Sequence, residues 1–183
     1  MDLRFSRKIQ IPVRDPKVAM INIDKFLLIK IGDQAPDFSA KSVEGDDVRL
    51  EDLRGKVVLV DFWATWCAPC IAEMPNIERI YDEHRKNGNF EVVGVSFDTD
   101  KRQVKRIVKG KAPWPQILAG PAENNPIAMK YFVAGIPATF LIDYEGKLVA
   151  KDLRGAALRR EVRRQVKRAR AAGSKVKTSL GGS

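Results

Sequence analysis

Apolar residues fall into a few blocks along this chain, and their spacing names the elements. Val57 to Phe62 is a nearly continuous apolar run broken only by Asp61. That is the pattern of a central strand covered on both faces. Phe90 to Phe97 predicts another buried strand. Between them Ile71, Met74, Ile77, Ile80 and Tyr81 recur at three- and four-residue intervals. This spacing predicts an amphipathic helix running to about Lys86 and ended by Asn87-Gly88. Pro75 lies inside it and, by removing one backbone donor, should kink it. Val104, Ile107 and Val108 mark the apolar side of a basic helix over 101–108, and 113–118 holds a short extended piece. A further helix is expected from Asn125 to Phe132, entered through Pro126 at its first turn. Ala138–Asp143 and Lys147–Lys151 predict a hairpin across Tyr144-Glu145-Gly146. Leu158, Val162, Val166 (with Gln165) and Ala169 form the buried stripe of a last helix over 156–172. Strand–helix–strand–helix followed by a hairpin and a helix gives an α/β fold, a mixed sheet with helices on both faces.

The flanks are less patterned. Asp37–Ala40 and Asp47–Leu50 predict a short hairpin around Glu44-Gly45-Asp46, followed by a single turn over Leu50–Leu53. Residues 1–32 alternate loosely, with Phe5, Ile9, Ile11 and Val13 on one parity and Asp15-Pro16 as a turn. Two short strands are expected there. They read either as the end of an upstream β-domain or as an extended arm packed on the main domain. From Gly173 the chain is polar and closes on a linker-like Gly-Gly-Ser. The expected organisation is therefore an N-terminal extension over 1–30, one domain over 31–172 and a flexible tail over 173–183.

Composition sharpens this picture in two places. The chain has 183 residues, 44% of them hydrophobic, enough for one domain with a proper core. No apolar run approaches the length of a membrane span, and Met1 to Pro12 is charged and alternating rather than an apolar core with a cleavage site. The net charge of +10 is uneven: nine Lys/Arg stand against Glu161 alone over 156–183, and seven against three Asp over 1–32. The middle of the chain is left slightly acidic. The basic ends thus say nothing of the active surface, and a whole-protein nucleic-acid role is not expected.

The candidate chemistry lies where the first strand meets the first helix. The chain's two cysteines, Cys67 and Cys70, stand two residues apart at that junction, in the order strand, aromatics, Cys-x-x-Cys, helix that a redox site needs. A zinc site would need two more Cys or His ligands, and the single histidine, His84, cannot supply both. No metal and no cofactor are expected. The thiolate attacks a disulfide, not the thiol. Unpaired N–H groups and partial positive charge at the helix start favour a thiolate on Cys67. The two-residue spacing lets Cys70 reach it, so Cys67 is the candidate nucleophile and Cys70 the resolving thiol. Pro69 sits near the helix start, where its missing donor costs little. Asp61 is a carboxylate in an apolar strand; burial should raise its pKa and let it carry protons. His84 is expected on the helix surface, about four turns from Cys67.

These residues resemble the thioredoxin superfamily and, within it, the TlpA/ResA-type thiol–disulfide oxidoreductases of the redoxin (AhpC/TSA) branch. The resemblance covers about Ile31 to Ala172. It rests on APDF at 35–38, VVLVDFWATWCAPC at 57–70, MP at 74–75, GIPATFLID at 135–143 and EGK at 145–147. It implies a thioredoxin-like three-layer fold, a central mixed β-sheet flanked by helices, with an N-terminal β-hairpin and an insertion before the cis-proline loop. It implies that Trp66 shields the site and offers a partner an apolar surface, with Trp63 left open between that role and the core. It puts Asp61 at the buried acid of thioredoxins and Glu73 at the acid characteristic of the ResA-type branch. Either could deprotonate Cys70 as it resolves the mixed disulfide. It makes Ile136-Pro137 the cis-proline loop facing the cysteines, where the Ile136 backbone can pair with an extended substrate chain.

The resemblance thus implies an enzyme that exchanges disulfides with protein substrates, with reduction the expected direction. The expected partners are protein disulfides or dithiols and an upstream electron donor or acceptor, and a monomer is expected. Relatives often act outside the cytoplasm, although this chain carries no recognisable signal. Two alternatives stand beside this one. A peroxiredoxin-like peroxidase is disfavoured because the cysteines form CAPC rather than a single peroxidatic cysteine approached through proline and threonine. A binding module would use Arg159, Arg160, Arg163, Arg164, Lys167, Arg168 and Arg170 of the last helix for weak contact with an acidic surface.

Overall fold

The computed structural model describes residues 29–180. The two strands expected within 1–28 lie outside the described residues. A five-stranded mixed sheet forms the centre, in the order β5 (Gln116–Leu118), β4 (Phe90–Ser96), β3 (Val57–Trp63), β6 (Ala138–Ile142), β7 (Leu148–Lys151). β3, β4 and β5 run parallel, while β6 and β7 are antiparallel additions. β3 is central and buried at every position, which is why it reads as an unbroken apolar run rather than an alternation. A separate hairpin of β1 (Ser39–Lys41) and β2 (Asp47–Arg49) turns through Gly45 and is joined to β5 by a bridge from Ser42 to Ile117.

Alternate residues of β3 feed two cores. Val57 and Leu59 pack with Ile77 and Ile80 of α1 (Ala68–His84) and with Leu158, Val162 and Val166 of α4 (Gly155–Leu180). Val58, Val60 and Phe62 pack with Val104 of α2 (Lys101–Val108), with Ile127 and Ala128 of α3 (Pro126–Lys130), and with Tyr131 and Phe140. Asp61 shares the parity of Val57 and Leu59, so it is carried on the side where α1 and α4 begin. Between β4 and β6 the chain inserts α2, β5, a single 3-10 turn and α3.

Helix ends depart from the sequence pattern in three places. α1 closes in a 3-10 turn over Arg85–Asn87 before left-handed Gly88, and it runs as one 17-residue helix through Pro75. α3 stops at Lys130, short of the expected Phe132, because Phe132 itself adopts a left-handed φ of 53°. α4 continues to Leu180, past the expected end at Ala172. Gly173 is not a left-handed cap. A glycine inside a helix costs only about 1 kcal/mol, so composition alone was a weak stop signal.

Candidate active site

The site lies at the C-terminal end of β3, where α1 begins. Cys67 is the N-cap of α1, and Pro69 lies in the first turn. The two sulfurs are bonded, and Cys67 Sγ also accepts a hydrogen bond from the Cys70 backbone N–H at 3.3 Å. Cap position and spacing have one cause. An N-cap side chain accepts from the residue two or three places on, so the residue after x-x donates to the sulfur before it. Both cysteines are buried. The helix start therefore supplies a donor and positive potential to a largely buried sulfur.

Trp66, the residue before Cys67, is 67% exposed. Trp63 is different: it is 1% exposed and donates through Nε1 to Gln116 Oε1 at 2.9 Å, so it belongs to the core. The turn that presents Trp66 is held from below by Asp98. Its carboxylate accepts from Thr65 N at 2.8 Å, Thr65 Oγ1 at 2.6 Å and Ser96 Oγ at 2.6 Å. Across the site the Ile136-Pro137 peptide is cis, and both residues are half-buried. Between Trp66 and Ile136 opens a groove of about 600 Å³ lined also by Phe97, Gln103 and Gly135.

The two acids stand differently. Asp61 is 5% exposed and registers between Gly94 and Thr139 on its neighbouring strands. Burial, and secondarily the charge of Glu73, push its carboxyl up to about 7, against the opposing pull of Arg154. Glu73 is a partly buried tie. Its Oε1 accepts from Asn76 Nδ2 at 2.6 Å and from the N–H of Gly155, the first residue of α4, at 2.7 Å. It thus satisfies an orphan donor at a helix start. His84 is not the surface residue expected. Both ring nitrogens are buried without a partner among the described residues, its ring meets Phe90 edge-on at 6.1 Å, and burial lowers its pKa.

Three contributors escaped sequence reasoning. Asn76 sits three residues after Glu73, a spacing that puts two helix side chains together, so it was findable. Asp98 follows Ser96 in a serine–aspartate pattern that favours local hydrogen bonds. Arg154 had no local signal: its guanidinium reaches the Pro137 carbonyl at 2.7 Å, across 17 residues of chain.

A family model described as the AhpC/TSA family matches residues 31–151. A thiol-disulfide oxidoreductase ResA of Bacillus cereus is 36% identical over 124 residues, covering 67% of this chain and 69% of that protein. Among solved structures, the thioredoxin domain of a thiol-disulfide oxidoreductase from Bacteroides vulgatus superposes with a TM-score of 0.69 at 34% identity, covering 75% of this chain and 99% of that one. A thiol:disulfide interchange protein from Bacteroides sp. gives 0.68 at 34% identity, covering 76% and 91%.

Proposed function

The chain belongs to the AhpC/TSA family and is a thiol–disulfide oxidoreductase of thioredoxin-like fold, and from that premise we propose how it works and on what. Its substrates are protein thiols and disulfides, and the direction is reduction. Cys67 attacks the substrate disulfide, forming a mixed disulfide and releasing one substrate thiolate. Cys70 then attacks Cys67 Sγ: the Cys67–Cys70 bond forms, the Cys67–substrate bond breaks, and the second substrate sulfur leaves as thiolate. The Cys70 proton passes to Asp61, which with a carboxyl near 7 is poised to take it at neutral pH and return it. Glu73 Oε1 is occupied by two donors, so its place is beside the proton path, raising Asp61 by its charge. Trp66 and Pro69 border the partner's approach, and the Ile136 backbone pairs with an extended partner chain lying in the groove.

The observation that carries this reading is Cys67 Sγ at the N-cap of α1, facing the Cys70 N–H. An upstream dithiol returns the pair to the reduced state, outside the cytoplasm and with the enzyme a monomer. The catalytic unit is 31–172, with 1–30 and 173–183 as appendages. Exposed cations of α4 add at most weak contact with an acidic surface. Among the described residues no helix is long and apolar enough to cross a membrane.

Reduction of insulin by the reduced protein, followed by light scattering, tests the reading. Cys67→Ser abolishes it. Cys70→Ser accumulates a mixed disulfide through Cys67 on a non-reducing gel. Full activity in Cys67→Ser defeats the assignment.

A further inference from the structure

The turn from β7 into α4 is built tightly for four residues that carry no assigned role. Asp152 takes a left-handed φ of 53° and Gly155 one of 54°. Asp152 N donates to Thr139 O at 2.8 Å, and Thr139 Oγ1 donates to the Leu153 carbonyl at 3.1 Å. The backbone of the turn is thus bound to β6 at Thr139, the strand neighbour of Asp61 and two residues past Pro137. Its last member, Gly155, donates to Glu73. Glu73 is fixed in turn by Asn76, whose Nδ2 also lies 3.4 Å from the Gly155 carbonyl. One side chain of this turn points back to the substrate loop: Arg154 Nη2 donates to the Pro137 carbonyl at 2.7 Å.

From this arrangement, and resting on the function proposed above, we infer that Arg154 is a positioning residue that couples partner binding to proton removal. Its Nη2–H, donated to the Pro137 carbonyl, holds the cis-proline loop in place for an extended disulfide-bearing chain. Its charge, opposing that of Glu73, favours the ionised form of Asp61, the form able to accept the Cys70 proton. The charged groups that bear on Asp61 are Glu73 on α1 and Arg154 before α4, and they act in opposite directions. A guanidinium suits both tasks, since it stays charged at every working pH and donates in a fixed plane. Lysine would keep the charge and lose the rigid planar donor that reaches the Pro137 carbonyl. Arg154 is exposed, so replacing it leaves the core packing alone.

The test is single-turnover reduction of a fluorescent disulfide peptide by the reduced full-length protein, from pH 5.5 to 9.5. Release of the labelled thiol from the Cys67 mixed disulfide reports the resolving step, and steady-state rates give KM. In R154A the rising limb of the resolving step moves to higher pH by about one unit, the low end of the effect of one opposite charge beside a carboxylate. Its KM rises about tenfold, the factor one charge-assisted hydrogen bond brings. R154K keeps the wild-type limb and shows the raised KM. An unchanged limb or an unchanged KM in R154A overturns the inference, as does an equal limb shift in R154A and R154K. Asp61→Asn separates the two levels. If it retains the limb, the assignment of Asp61 as proton acceptor fails. If it loses the limb while R154A leaves it in place, that assignment stands and only the role of Arg154 falls.

Discussion

Asp61→Asn should make this protein more stable at alkaline pH while impairing it as an enzyme. The buried carboxyl is raised from 3.8 to about 7, first by burial and then by Glu73. The native state therefore keeps a proton that the unfolded chain has released between those two values. Where the native state binds more protons, stability falls as pH rises. The penalty is absent below pH 4, grows through pH 4–7 and is complete above pH 8. At 1.36 kcal/mol per unit, the rise amounts to about 4 kcal/mol, a large share of the net stability of a domain this size. Asparagine does not ionise, so its stability profile lacks this decline, and subtracting the two profiles removes every titrating group that does not interact with Asp61. Urea unfolding of both oxidised proteins at pH 4, 5.5, 7 and 8.5, followed by tryptophan fluorescence, measures it. The expected result is a difference that moves by about 4 kcal/mol in favour of Asp61→Asn between pH 4 and 8.5. A difference that stays flat across that range would show that the folded protein does not hold Asp61 protonated, and the proton path through it would go as well.

Three further outcomes follow from particular contacts. Glu73→Ala leaves the Gly155 N–H at the start of α4 without its acceptor, and should cost about 1 kcal/mol in chemical unfolding; it also removes a negative neighbour of Asp61, so the resolving step should gain rate at pH 6. Gly94→Ala would put its Cβ 2.0 Å from Gln116 Oε1, the acceptor of the Trp63 N–H. Pushing that amide away breaks a buried hydrogen bond and should cost about 1–3 kcal/mol, read as a lower midpoint in urea. Trp66→Ala removes an exposed ring. It should leave stability within about 0.5 kcal/mol yet lower kcat/KM on insulin, with little change on a small disulfide such as oxidised glutathione; equal losses on both substrates would refute a partner-facing role.

Much of the site was legible because it is local. The strand, the N-cap cysteine and the helix are contiguous, so helix-start chemistry and a run of apolar residues were enough to single out the Cys67–Cys70 pair. Asp61 stood out for the same reason, as one acid in an otherwise apolar strand. The cis peptide before Pro137 was signalled by its flanking motif. His84 was misjudged because helical spacing alone does not say what covers a helix's last turn; here Phe90 of β4 does. The end of α4 was misjudged because Gly173 carries a propensity cost but adopts no left-handed cap.

The sequence by itself determined the elements, their order, the Cys67–Cys70 pair and the buried acid of β3, because periodicity, capping and burial cost act within a few residues. Only the tertiary structure showed how differently the two acids are held, Asp61 buried and Glu73 tied by two donors, and brought in Arg154. Glu73 is tied to a turn that lies 82 positions along the chain from it, and Arg154 crosses to the Pro137 carbonyl. Those contacts exist because β6 runs antiparallel to β3 and β7 antiparallel to β6, so β7 finishes at the same end of the sheet as β3 and the start of α4 meets the start of α1. No spacing in the chain records that meeting.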